Sequence, residues 1–150
     1  MKETKEPLAK FHARLDPKGR VLIPKGDREI LGIEGNDYVE ALIRKIEVNN
    51  ESKVVQILGS AFIIAKVGVR GYIVVPTNAR VELNLSYGDA VEVLILAIHK
   101  FDKLISPQGR ELMKRIQAFS QAKIIAPDEE YDLLKQLGYS YVAAIEGVAL

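Results

Sequence analysis

The sequence predicts a mainly β protein with short helices, in which two internal repeats interleave into one closed barrel and a helical segment follows. Three observations carry this. The chain matches itself without a gap at an offset of 52 residues. Each copy holds short β-branched runs bounded by glycine turns and prolines, a strand signature. Finally, the 150 residues fit one ordinary domain or two very small ones, and at 48% hydrophobic they are enough to bury a core.

The repeat comes first. Ala13–Ile43 laid over Ala65–Ile95 gives ten identities in 31 positions, among them Gly19/Gly71, Pro24/Pro76, Arg28/Arg80, Asp37/Asp89 and Glu40/Glu92. Each copy opens on a strand, about Phe11–Leu15 and about Phe62–Val67. A turn follows, Asp16-Pro17-Lys18-Gly19 or Gly68-Val69-Arg70-Gly71, where glycine tolerates a positive φ. The runs Val21-Leu22-Ile23 and Ile73-Val74-Val75 then read as buried strands, and Pro24 and Pro76 end the pairing because proline cannot donate to a ladder.

Short helices are expected next, about Asp27–Leu31 and about Ala79–Leu83, the second with Thr77-Asn78 as N-cap oxygens. Long strands follow over Tyr38–Val48 and about Ala90–Ile98. Asn49-Asn50 suits a hairpin turn returning through Lys53–Leu58, with a stunted counterpart at Lys103–Ile105. One copy hides too little apolar area to fold alone, whereas two copies closing into a barrel remove edge strands. Residues 1–106 therefore form one domain, with repeat one at about 8–58 and repeat two at about 62–106.

Residues 107–150 differ in kind. Ser106-Pro107 opens a helix with Leu112, Met113, Ile116 and Phe119 on one face. Asp128-Glu129-Glu130 starts a second helix favourably for its dipole, with Tyr131, Leu134 and Leu137 on one side and Gly138 as its stop. Tyr139–Leu150 reads as an apolar tail with strand character. The segment is expected to pack on the barrel or to join two copies as a homodimer.

Several functions are excluded. With no cysteine there are no disulfides, thiolate metal sites or cysteine nucleophiles. His12 and His99 have no metal-ligand or catalytic spacing and read as solvated or half-buried strand residues. No serine sits in a nucleophile elbow, Ser60 reads as a linker residue, and no glycine loop cradles a phosphate. In Asp37/Glu40 and Asp89/Glu92, the aspartate reads as a turn cap and the glutamate as solvent-facing. The expectation is no enzyme, no cofactor and no metal. No signal peptide and no bilayer-length apolar run occur, so a cytoplasmic protein without membrane association is expected.

The 21 Lys+Arg against 20 Asp+Glu leave no global positive field; any nucleic-acid contact must be local. The basic residues are unevenly divided. Arg14, Lys18, Arg20, Lys25 and Arg28 crowd the first copy's turn and helix, while Lys66, Arg70 and Arg80 are what the second retains. Arginine forks at such positions can grip phosphates or reach guanine edges.

The run Leu15-Asp16-Pro17-Lys18-Gly19-Arg20-Val21-Leu22-Ile23-Pro24, followed by Arg28, Leu31-Gly32-Ile33 and Asp37, resembles the AbrB/MazE/SpoVT family of swapped-hairpin β-barrel DNA-binding domains. The second copy is a degenerate version, and residues 107–150 lie outside the likeness. The resemblance implies a pseudodimer that does within one chain what two subunits do elsewhere. It also implies a transcriptional regulator binding double-stranded DNA, with Arg14, Arg20 and Arg28 as contacts in copy one and Lys66 and Arg80 in copy two. Tyr72 stands where Arg20 would repeat, so a lopsided face is expected. The alternative is a protein-interaction module, antitoxin-like or an oligomeric adaptor, with little DNA binding.

Overall fold

A computed structural model describes residues 6–135 and 141–142. The two copies run in the same order. Repeat one is β1 (Ala9–Arg14), β2 (Arg20–Leu22), α1 (Lys25–Leu31) and β3 (Tyr38–Asn49); repeat two is β4 (Val54–Lys66), β5 (Tyr72–Val74), α2 (Thr77–Glu82) and β6 (Ala90–His99). They are followed by α3 (Phe101–Leu104), a 3-10 turn (Pro107–Gly109), α4 (Arg110–Ala118), β7 (Lys123–Ile125) and α5 (Pro127–Lys135). The protein is mainly β with short helices. Its large sheet is open and antiparallel, in the order β1-β6-β3-β4-β7, and β2 and β5 form a separate two-stranded ribbon.

The copies do not fold separately. β1 pairs with β6, β4 with β3 and β2 with β5, so these pairings join one repeat to the other. The registers disclose a pseudo-two-fold axis: Ala13↔Val91 becomes Ala65↔Val39 under the 52-residue offset. Leu42↔Leu94 and Val21↔Ile73 pair equivalent residues with each other. The loops obey the same relation, Ile23 N–H donating to Gly71 O and Val75 N–H to Gly19 O.

The sheet is covered on both faces. One face packs Ala41, Ile43, Ile63, Val93 and Ile95 against Val21 and Ile73 of the ribbon, Ile23 and Val75 just after its strands, and Ala79 of α2. The other carries Leu42, Phe62, Leu94 and Leu96, with Ile125, Phe119 and Tyr141 against them. Phe119 meets the Phe62 ring edge-on at 5.5 Å, and Tyr141 lies 3.9 Å from it between centroids. Phe119, Ile125 and Tyr141 of the C-terminal segment thus pack on its own sheet, while Ile124 and Tyr131 stay exposed.

Four local expectations are corrected. Lys103–Ile105 is not a return strand. Asp37 takes the Lys100 ammonium at 2.5 Å and the Phe101 N–H at 2.9 Å, and the chain turns off into α3. Burial works against the charged Asp37 carboxylate, yet Lys100 and the Phe101 and Glu34 N–H groups hold its pKa below the ordinary value; the same contact raises that of Lys100. Ser60 is no linker residue but a buried position inside β4, because the hairpin return and the first strand of repeat two are one continuous strand. Thr77 and Asn78 do not cap α2: Pro76 holds the N-cap position, and the Asn78 amide exchanges hydrogen bonds with the Ala122 backbone at 2.7 and 3.0 Å. Glu40 and Glu92 do not face solvent; both are buried, because they share the sheet face with Leu42 and Leu94, which the C-terminal segment covers. Asp37 does cap its turn, accepting from Glu34 N–H at 2.8 Å.

The expectations on the side chain of Leu134, on Leu137 and Gly138, and on the tail from Tyr139 to Leu150 lie outside what is described, apart from Tyr141 and Val142, which are helical. Among the described residues no helix is long and apolar enough to cross a membrane.

Gly71 has φ +91°, and a Cβ there would fall 2.5 Å from Nε of Arg28. Gly32 has φ +68° with open space around it. Gly32→Ala is expected to cost about 1 kcal/mol from the backbone alone, and Gly71→Ala more, because Arg28 must also leave its seat. Denaturant unfolding of the two variants checks the order; equal losses would mean that Arg28 is not held there.

Candidate nucleic-acid interface

The basic residues are positioned by the two glycine turns and the helices behind them. In the first turn, Asp16 organises the loop. Its Oδ1 accepts the N–H of Lys18 at 2.9 Å and of Arg20 at 2.7 Å, and its Oδ2 accepts Arg20 Nε at 2.8 Å. Desolvation opposes the Asp16 charge, but these bonds from Arg20 and Lys18 prevail and hold its pKa below the ordinary value. Arg20 is thereby fixed over the Tyr72 ring, 4.3 Å from its centroid, a favourable cation–π geometry. The replacement that reads as erosion of the second copy is therefore a contact across the pseudo-axis. A second arginine there would bring two like charges together.

The helix arginines also cross the axis. Arg28 of α1 donates from Nε to Ile23 O at 2.9 Å and lies against Gly71, in the other repeat's turn. Arg80 of α2 repeats this, with Nε to Val75 O at 3.1 Å and Nη2 to Thr77 Oγ1 at 2.9 Å, and lies against Gly19. Each glycine is required both by its positive φ and by the guanidinium seated on it. Two groups result: Lys18, Arg20 and Arg80 at one end of the β2–β5 ribbon, and Arg28 with Arg70 at the other.

The remaining candidates divide. Lys66 and Arg80 line a shallow groove of about 530 Å³ shared with Thr77, Ser120 and Gln121. Arg14 donates to Gly88 O at 2.8 Å on the exposed surface. Lys25 stands 3.9 Å from Glu29 in an exposed pair, an arrangement worth little. Lys18, Lys66 and Arg70 form no side-chain hydrogen bond or ion pair among the described residues. Sequence reasoning missed Thr77, Ser120 and Gln121; the last two lie between Phe119, packed on Phe62, and Ala122, whose backbone Asn78 holds, and no local pattern signals that.

On the opposite sheet face lies a buried ionic cluster with no sequence signal. Arg44 donates to Glu92 at 2.6 Å and also pairs with Glu130, whose other oxygen accepts from Ser60 Oγ at 2.5 Å. Glu40 pairs with His99 and accepts the Tyr141 N–H at 2.5 Å. His12 lies 3.1 Å from Glu92. The two histidines thus meet repeat-equivalent glutamates, although they are not themselves equivalent. Among the described residues no group of three or more potential ligands is arranged to hold a metal ion.

No family model and no curated protein matches the chain. It is similar to PHS018 from Pyrococcus horikoshii, a protein of known solution structure. The two are 33% identical, with a TM-score of 0.53, over 63% of this chain and 96% of that one. At that identity and coverage the chain belongs to the same family as PHS018.

Proposed function

We propose that this protein is a DNA-binding regulator of AbrB type, a fused swapped-hairpin pseudodimer that engages duplex DNA through the β2–β5 ribbon and its two glycine turns. The observation that carries the reading is the crossing of Arg28 and Arg80. Each guanidinium is anchored through Nε to a carbonyl of its own repeat and seated on the glycine turn of the other. Forks held this way lose little further freedom on gripping a phosphate. Lys18 and Arg70 extend the charge at the turn tips and have no carboxylate partner among the described residues. The cross-paired registers support the swapped-hairpin reading, since in that arrangement each half completes the sheet of the other. Contacts of this kind are to phosphate and duplex shape.

The test is fluorescence anisotropy of a labelled duplex across a range of salt concentrations, with Lys18→Glu/Arg70→Glu beside the parent chain. Both positions are exposed turn residues, so the fold is spared. Binding is expected to weaken by at least about tenfold, and the slope of log K against log salt to fall by about 2. Absence of binding by the parent chain at low salt, or an unchanged slope in the variant, would remove the proposal.

One observation favours a second reading. Leu22 and Val74 stand exposed on the outer face of the ribbon, which suits a protein partner of the antitoxin-like or adaptor kind. The same titration separates the two, since an adaptor shows no steep salt dependence with DNA.

A further inference from the structure

β3 and β4 run farther than the sheet around them. β6 accompanies β3 only as far as Lys45↔Val91, and β7 accompanies β4 only over Ser60–Phe62. Beyond these points, among the described residues, Ile46–Asn49 and Val54–Ile57 pair only with each other, around a turn in which Asn49 Oδ1 accepts the N–H groups of Glu51 and Ser52 at 3.0 and 3.1 Å. The result is a two-stranded arm. A lone two-stranded ribbon is marginal in water, and its open edges are templates for another strand.

Among the described residues no third strand protects the arm, and α5 reaches only as far as a groove it shares with Ile57–Ser60. Cross-strand register puts Ile46 opposite Ile57 and Val48 opposite Val55 on one face. Val48, Val54, Val55, Ile57 and Leu58 are each about half exposed. The two edges differ. That of β3 is four residues long and carries Glu47. That of β4, Val54-Val55-Gln56-Ile57-Leu58-Gly59, has no charge and no proline, and it ends where β7 takes over at Ser60.

The β4 edge is also complementary to itself. Laid antiparallel on a second copy about Gln56, it places Val55 opposite Ile57, Val54 opposite Leu58, and Gln56 opposite its own equivalent. No like charges are opposed, and the pairing stops short of β7. A homotypic two-fold contact needs a patch that matches itself in this way.

We propose that the β4 edge of the arm pairs with the same edge of a second copy across a two-fold axis at Gln56, joining the two sheets into one. Main-chain hydrogen bonds give the contact its strength and the aliphatic cross-strand pairs give its register. The proposal is independent of DNA binding and of the basic face.

The chain has no cysteine, which makes the test direct. Directly opposed residues of an antiparallel pair have Cα atoms about 4.5–5.5 Å apart, within disulfide reach. With oxidised glutathione as oxidant, Gln56→Cys is expected to form a covalent dimer that thiol reductant reverses, while Glu51→Cys, in the turn of the same arm, stays a single chain. Light scattering is expected to give the mass of two chains for the parent and of one chain for Val55→Lys/Ile57→Lys, with an unchanged far-ultraviolet circular dichroism spectrum. A parent of single-chain mass at every concentration would overturn the proposal. So would Gln56→Cys cross-linking no better than Glu51→Cys, or a double-lysine variant that folds and remains dimeric. If the double-lysine variant does not fold, the comparison of the two cysteine variants decides.

Discussion

Phe62→Ala is expected to destabilise the chain by about 3–5 kcal/mol, the range for truncating a fully buried phenylalanine. Phe62 has no solvent exposure and sits opposite Leu42 in the β3–β4 register. It is the ring on which Phe119 and Tyr141 pack, with Ile125 beside it. The cavity left by alanine would be walled partly by the sheet and partly by the C-terminal segment. Collapse is therefore limited, which places the cost toward the upper end. In a chain of this size the melting temperature is expected to fall by roughly 10 °C. Loss of the shared ring also loosens one layer from the other, so limited proteolysis is expected to cut first between residues 106 and 127. A loss below about 1 kcal/mol would mean that the segment is held by other contacts.

The same two-layer arrangement explains what could be read from the sequence. The internal repeat was legible because each copy must make the same glycine turn, end its short strand at proline and seat an arginine. Those demands leave identical residues at an offset of 52. The cross-pairing followed from area, since neither copy can bury its own apolar runs. The second layer was not legible. Glu40, Arg44 and Glu92 look like the polar positions of a solvated strand face, and only the C-terminal segment, which shares no period with the repeats, turns that face inward. Ser60 looked like a linker because Gly59 precedes it, whereas β4 runs straight through both. At the basic face, residue types and turns could be read, but the seating of Arg28 on Gly71 and of Arg80 on Gly19 is a tertiary relation. In sequence it shows only as a glycine and an arginine that recur together.

Arg44→Ala is expected to cost about 3–5 kcal/mol near neutral pH, the range for breaking a buried ion pair by removing one partner. It would leave Glu92 and Glu130, both under 10% exposed, without the guanidinium they share. Lys10, at 3.7 Å, offers Glu92 only an exposed charge and His12, at 3.1 Å, an exposed ring, and Glu130 would keep Ser60. The dependence on pH separates lost charge from lost packing. Burial alone would raise the Glu92 pKa, but the Arg44 hydrogen bond and the charges of Lys10, Arg44 and His12 hold it below the ordinary value. A carboxyl depressed on folding contributes stability above its unfolded pKa and loses it as pH falls through the folded value. The parent chain should therefore lose stability on acidification below about pH 4.3, and the variant less steeply, so that the gap between them narrows in acid. Urea unfolding at neutral pH and below the ordinary carboxylate range measures both gaps; equal gaps would assign the loss to packing. Replacing the cluster together, as Arg44→Met/Glu92→Leu/Glu130→Leu, is expected to recover most of the neutral-pH stability, because apolar residues of similar volume avoid the cost of burying charge.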